Sequence, residues 1–490
     1  MNTRARPLPR SLTFWYAIGA VPGGIGASTA SFLVFFYNQV LGVPGSLIGL
    51  VFFAIALFDA VSDPVAGVLS DRTRSRLGRR HPYLVWAMPP AVLCGIAIWL
   101  PPGSLGTTGI ATWLLVALVA SRSFDTLVAV PYLALGAELT KDYVERTRLT
   151  ALRATTHNAG RAAGGALLLL FFLRPTAEYP DGQMNPDGYA QFAIAAGIVS
   201  LVAMWSCAWG TRRSIPELSR SLPGSDGPGP IATVFREIRD ALALRDFRAI
   251  FGATISKHIG WGISDALGLY VATFFWEVGT EGLFLWGTAM FTGLFTGFPI
   301  WRFLAGRFDK KPLYVAGTAI YGVFFSVPYL LKVAGLFPSD PTVSFALYVF
   351  LTGFVAHLGL AAPAIVQPSM LGDVTDVDEL ATGKRREGVL FAAETFGWKA
   401  LRGIGALSAG LIIDLVGLTQ GVTPETVDAT VSQRLGLALG LSMALFTAGA
   451  LWFIRGYRID RHRHEQVRAA LAARAAEQES SERVADPGEA

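Results

Sequence analysis

Apolar residues run in long blocks along this chain, and polar residues gather in the gaps between them. Twelve blocks come close to or exceed the roughly 20 residues a helix needs to cross a bilayer. They lie at 12–37, 46–70, 83–101, 109–137, 150–173, 190–210, 249–276, 283–305, 313–332, 343–371, 388–416 and 432–455. Blocks of this length predict membrane helices, because backbone groups in lipid must be bonded within their own segment. The longest interior break, 211–248, holds Pro216, Pro223, Gly224, Pro228, Gly229 and Pro230 and then a basic, helical-looking stretch at 235–244. Such a break reads as a linker between two six-helix halves. The expected organisation is an N-terminus at 1–11, a bundle at 12–210, a linker at 211–248, a second bundle at 249–455 and a charged, alanine-rich tail at 456–490.

Composition supports an all-α polytopic membrane protein. The 490 residues are 52% hydrophobic and only 16% charged, where a soluble chain carries about 25%. The net charge of +5 matters less than its placement. Lys and Arg fill the N-terminus, 71–82, 138–149, 211–248, 306–312, 372–387 and the tail, whereas the intervening loops hold Arg174, Lys332 and Arg434. Those intervening loops lean acidic, with Glu178, Asp181, Asp187, Glu425 and Asp428. The positive-inside rule then puts both termini in the cytoplasm of a multi-pass inner-membrane protein, and the basic excess is topology rather than a nucleic-acid surface. Arg4, Arg6 and Arg10 precede an apolar run reaching Tyr37, too long for a cleaved signal and expected to be the first helix. Cys94 and Cys207 lie inside blocks and imply no disulfide framework. The cytoplasmic segments show no phosphate loop or paired-histidine zinc motif, so neither ATP drive, nor an enzyme, nor a cofactor is expected.

A few charges interrupt the apolar blocks. Asp59 and Asp63 stand one turn apart on one face of the second helix. A carboxylate at bilayer depth costs about 2.5–3.5 kcal/mol on insertion scales, so the pair marks a functional site. Its oxygens suit a hard cation such as sodium, and their mutual repulsion equally suits a shared proton. Arg122 and Asp125 are i, i+3 and predict a local pair. His258 and Asp265 share a face of the seventh helix, with packing the expected role of His258, as of His157 and His357. Lys399 lies well inside the eleventh helix and Arg153 one turn inside the fifth; Trp261 and Trp398 suit either packing or stacking on a solute ring. Glycines at 19–26 and 160–165 predict close helix packing. A basic turn recurs after the second and eighth helices, Leu69 to Tyr83 and Leu304 to Tyr314, the mark of two parallel repeats.

Phe58-Asp-Ala-Val-Ser-Asp-Pro64 followed by Thr73-Arg-Ser-Arg-Leu-Gly-Arg-Arg80 resembles the glycoside–pentoside–hexuronide:cation symporters of the major facilitator superfamily, whose best-known member is melibiose permease. Val130 to Glu138, Asp142 to Arg148, Pro368 to Asp376 and Thr382 to Gly388 extend the resemblance over about 12–455. It implies a major facilitator fold with twelve transmembrane helices and cation-coupled symport of a small solute by a monomer. It further implies a sodium or proton site at Asp59 and Asp63 with Thr126, and Ser62 where the family often has an amide. Lys399 and Arg153 match its coupling residues, and Asp71, Arg72, Arg79 and Arg80 fall in the expected cytoplasmic gate. Two aspartates that melibiose permease uses for sugar hydroxyls align with Gly24 and Ala129. The related lysophosphatidylcholine transporters keep the cation-site acids around an apolar cavity, so a sugar-like and a lysolipid-like substrate both stay open. A non-transporting sensor on the same scaffold is the alternative from another class.

Overall fold

The computed structural model describes residues 8–140, 142–216, 239, 241–383 and 387–485, so nearly all of the expected linker's Pro/Gly segment lies outside the described residues. The described chain is helical throughout, without a strand. Its helices are α1 (Arg10–Val40), α2 (Gly45–Arg72), α3 (His81–Ile98), α4 (Thr107–Glu138), α5 (Tyr143–Leu167) and α6 (Pro186–Thr211). The second set is α7 (Arg245–Tyr270), α8 (Thr280–Ala305), α9 (Lys310–Val333), α10 (Pro341–Thr382), α11 (Glu387–Val416) and α12 (Ala429–Ile454). A last helix, α13 (Arg461–Ala485), follows the membrane part. Helix starts are chemically marked: Asp142 accepts from Glu145 N at 2.9 Å, Asp340 from Val343 N at 2.9 Å, and Asn185 caps α6 ahead of Pro186.

Among the described residues nine helical stretches are apolar enough to cross a membrane on composition alone. The other three of the twelve, α5, α7 and α11, are long enough but carry charges within them: Arg153 and Arg161, Lys257 and Asp265, and Glu394, Lys399 and Arg402. Interior charge of this kind is retained for function. The repeat expected from the basic turns has backbone counterparts. Both α1 and α7 end in a wide π turn, at Phe36–Val40 and Val271–Phe275. Both α2 and α8 hold a proline at the same helical position, Pro64 and Pro299.

The chain divides into two compact units. The first is Met1–Pro228 with Trp261–Thr288 and Arg402–Leu439. At its core Tyr16 stacks on Tyr132 at 4.9 Å, and the Tyr132 hydroxyl donates to Tyr16 O at 2.9 Å. A Cβ at Gly136 would sit 2.0 Å from the Tyr16 hydroxyl, so only glycine admits that ring. The later segments are tied to this unit at the end away from the chain termini: Tyr270 donates to Val34 O at 3.1 Å and Thr273 to Gln183 Oε1 at 3.0 Å. Asp414 caps α2 by accepting from Gly45 N and Ser46 N, each at 2.8 Å.

The second unit is Gly229–Gly260, Ala289–Leu401 and Gly440–Ala490. Phe247, Tyr314, Met370, Ile454 and Tyr457 lie in its core. Near the start of α9, Lys310 donates to both oxygens of buried Asp373 at 2.6 and 2.7 Å, Tyr457 adds a third bond at 3.0 Å, and His464 of α13 stands 3.3 Å away. Burial and the Asp373 carboxylate hold the Tyr457 phenol well above its ordinary range, so it stays a donor.

Candidate functional site

The sequence places Pro64 directly after Asp63, and that order shapes the local chemistry. Pro64 lacks an N–H, which leaves the Ala60 carbonyl without its helical donor. A freed carbonyl thus lies between the two aspartates along α2. From α4, the buried Thr126 hydroxyl reaches Asp63 Oδ1 at 3.3 Å. Ser62 instead turns its hydroxyl toward the Asp59 carbonyl of its own helix, at 3.5 Å. The i, i+3 spacing predicts an Arg122–Asp125 pair, but Arg122 turns across to Asp59, with Nε 4.0 Å from Oδ2. Asp125 takes a bond from Ser121 at 3.2 Å and still feels the Arg122 charge. The reason is geometric: α2 supplies a carboxylate on the face Arg122 already occupies. Asp125 and Ala129 are exposed on α4, one turn apart. The Asp59 side chain is 24% exposed, with its Oδ1 atom buried. Among the described residues no three His, Cys, Asp or Glu converge to hold a metal. The available set is two carboxylates, one hydroxyl and one carbonyl, all oxygen.

The other expected site residues scatter. Gly24 is a packing point: a Cβ there would lie 2.2 Å from His157 O and 2.8 Å from Arg161 N. Arg153 acts electrostatically on Tyr16, Tyr132 and His157. Trp261 is half-buried on α7. Lys399 and Trp398 belong to α11, but their side chains lie outside the described residues. His258 and His357 bond back to carbonyls of their own helices, Thr254 O and Gly353 O, each at 2.8 Å. Asp265 pairs with Arg402.

At the far end of α2, Arg80 is buried and joins Asp71 at 2.6 Å, Glu138 at 2.6 Å and Ser70. Arg79 meets the same Glu138 at 3.0 Å. Arg72 is exposed and stands outside this cluster. Glu138, at the end of α4, is the acceptor the sequence reading leaves out of the expected gate. Glu138→Ala is expected to destabilise the protein by about 2 kcal/mol, because Asp71 still meets Arg80. Arg72→Ala should change stability by less than about 0.5 kcal/mol. Paired thermal melts check both values.

A second polar group is missed by sequence reasoning altogether. Lys257 of α7 donates to Gln367 Oε1 of α10 at 2.7 Å. Gln367 Nε2 donates in turn to Thr254 at 2.8 Å and to Glu394 of α11 at 2.9 Å. The signal was a lysine midway along an apolar helix, beside the more conspicuous His258.

A family model described as MFS/sugar transport protein matches residues 15–461. The chain is 27% identical to the uncharacterized symporter sll1374 of Synechocystis, over 90% of this chain and 93% of that one. It is 24% identical to the inner membrane symporter YicJ of Escherichia coli, covering 90% of each. It is 26% identical to the mouse sodium-dependent lysophosphatidylcholine symporter 1, over 95% and 89% of the two chains. Among solved structures, the nucleoside transporter NupG superposes with a TM-score of 0.60 at 13% identity, over 91% of this chain and all of that one.

Proposed function

The chain belongs to the MFS/sugar transport protein family, a multi-pass membrane transporter of the cation-coupled symporter type, and we propose that it couples sodium to solute at the α2–α4 site. The observation that carries this is the Thr126–Asp63 contact beside the carbonyl freed by Pro64. Two carboxylates alone serve a proton as well as a metal ion. A neutral hydroxyl and a neutral carbonyl added to them favour a hard cation, which takes oxygen ligands of both kinds. Solute and ion are carried by one copy of the chain, across the cytoplasmic membrane, with both termini on the cytoplasmic side. The distribution of Lys and Arg among the loops supports that orientation.

Sodium bound to the folded state raises its melting temperature by mass action. The test compares purified protein in sodium chloride and in choline chloride at one ionic strength and pH. The reading expects a saturable rise in sodium. A rise that follows pH and ignores sodium would replace the metal ion with a proton. Thr126→Val keeps the shape and removes the hydroxyl. It should weaken the sodium response by about tenfold, the worth of roughly one good hydrogen bond, without lowering the melting temperature in choline.

A further inference from the structure

Arg122 stands halfway along α4, at a depth where a charge is kept for function, and the sodium site as described gives it no task. Its placement follows from helix register. Thr126 meets Asp63 at 3.3 Å, and one turn earlier Arg122 meets Asp59 at 4.0 Å. One turn later, a Cβ at Gly67 would meet Val130 Cγ1 at 3.8 Å. The same sequence offset recurs at every rung, so α2 and α4 run parallel and in step here. Residues four apart share a face of each helix. The ladder that delivers the Thr126 hydroxyl to Asp63 therefore delivers a guanidinium to Asp59.

Two features describe that guanidinium. First, its hold on Asp59 is loose. The 4.0 Å separation of Nε and Oδ2 lies beyond hydrogen-bond range, and the Arg122 side chain is 48% exposed. Unlike charges still attract at that distance, but an accessible pair without a direct bond holds weakly. Second, a further carboxylate lies within the field of Arg122. Its charge acts on Asp125, one turn along the same helix, where Ser121 donates to Oδ2 at 3.2 Å. A guanidinium carries several N–H donors and can serve either acid in turn. Withdrawal from Asp59 therefore does not strip Arg122 of a counter-charge.

We infer that Arg122 is a tethered counter-ion of the cation site: it rests against Asp59 when the site is empty and gives way to sodium by moving onto Asp125. The inference rests on the sodium role proposed above and assigns that site its built-in competitor. A cation arriving beside Asp59 meets a charge of its own sign. Only the fraction of molecules in which Arg122 has withdrawn is ready to bind, so Arg122 sets how much sodium the site needs. The exchange also keeps a positive charge beside Asp59 on both crossings, Arg122 on the empty one and sodium on the loaded one. A carboxylate at bilayer depth is thereby never left to cross without a counter-charge.

The experiment measures equilibrium binding of radioactive sodium to the purified full-length protein and its variants, with melting temperatures in sodium chloride and in choline chloride alongside. Arg122→Gln should bind sodium about tenfold more tightly than the parent, the gain expected when a competitor that occupies the site about nine-tenths of the time is removed. It should also melt lower in choline, where Asp59 has lost its counter-charge. An arginine that only shapes the site predicts the reverse, weaker sodium binding. Arg122→Lys keeps the charge and should gain far less than Arg122→Gln. Asp125→Asn removes the place to which Arg122 withdraws, so it should weaken sodium binding severalfold; it carries the test if Arg122→Gln fails to fold. Sodium binding by Arg122→Gln equal to or weaker than the parent's overturns the inference. So does an equal gain in Arg122→Lys, or parent-like binding by Asp125→Asn. Failure of the parent and of every variant to bind sodium removes the coupling role and the inference with it, whereas binding by the parent without a gain in Arg122→Gln removes the inference alone.

Discussion

Asp63→Asn is expected to abolish sodium-driven uptake of labelled solute into membrane vesicles, a loss of a hundredfold or more, while the protein remains folded. Asn has nearly the shape of Asp, and its carbonyl still accepts the bond Thr126 gives to Asp63 Oδ1 at 3.3 Å. What disappears is a formal charge at membrane depth. Its burial costs about 2.5–3.5 kcal/mol on insertion scales, so the variant should melt no lower than the parent in choline. A cation held by oxygen ligands depends on carboxylate charge, and an amide oxygen replaces only the dipole. The variant should therefore lose the sodium-dependent rise in melting temperature together with uptake. Uptake that survives with its sodium dependence intact would place the ion elsewhere.

Gly410→Leu is the second large effect, and its cause is steric. A Cβ at Gly410 would sit 2.1 Å from Gly45 O and 3.1 Å from the Gly49 α carbon. A Cβ at Gly49 would in turn lie 2.9 Å from the Leu407 α carbon. The backbones of α2 and α11 touch here, next to the Asp414 cap on Gly45 and Ser46. Small residues are what permit such an approach within a membrane. A transporter that exposes its site to each side of the membrane in turn must let packed helices such as α2 and α11 part and meet again. Leucine prevents the meeting, so uptake should fall at least tenfold although the chain still inserts. Gly95 of α3 has nothing within 4 Å of a built Cβ. Gly95→Leu should therefore transport normally, and vesicle uptake by the two variants side by side checks the claim. Normal uptake by Gly410→Leu would mean the contact is dispensable.

Element positions were legible in the sequence because a membrane helix announces itself by length and hydropathy. The second block, expected at 46–70, is α2 at Gly45–Arg72. Which side chains meet across helices was legible only in part. The family resemblance, not the Asp59–Asp63 spacing, pointed to Thr126, and the structure brings Thr126 to Asp63. Local spacing gave only part of the surroundings of Arg122, which acts on Asp125 and also stands 4.0 Å from Asp59 on another helix. Asp265 shows the same thing: it shares a face with His258 in sequence but pairs with Arg402 in space. Gly24 aligns with a sugar-binding position, yet the close approach of His157 and Arg161 makes it a packing residue, which no single sequence reveals. Lys257, Gln367 and Glu394 come from three helices, and nothing in their spacing along the chain foretells a shared network.

The most direct measurement is equilibrium binding of radioactive sodium to the purified full-length protein and to its Asp63→Asn variant. Saturable binding to the parent, lost in Asp63→Asn and retained in Gly410→Leu, is the predicted result. Equal binding to the parent and Asp63→Asn, or none to the parent, would contradict the sodium site between α2 and α4.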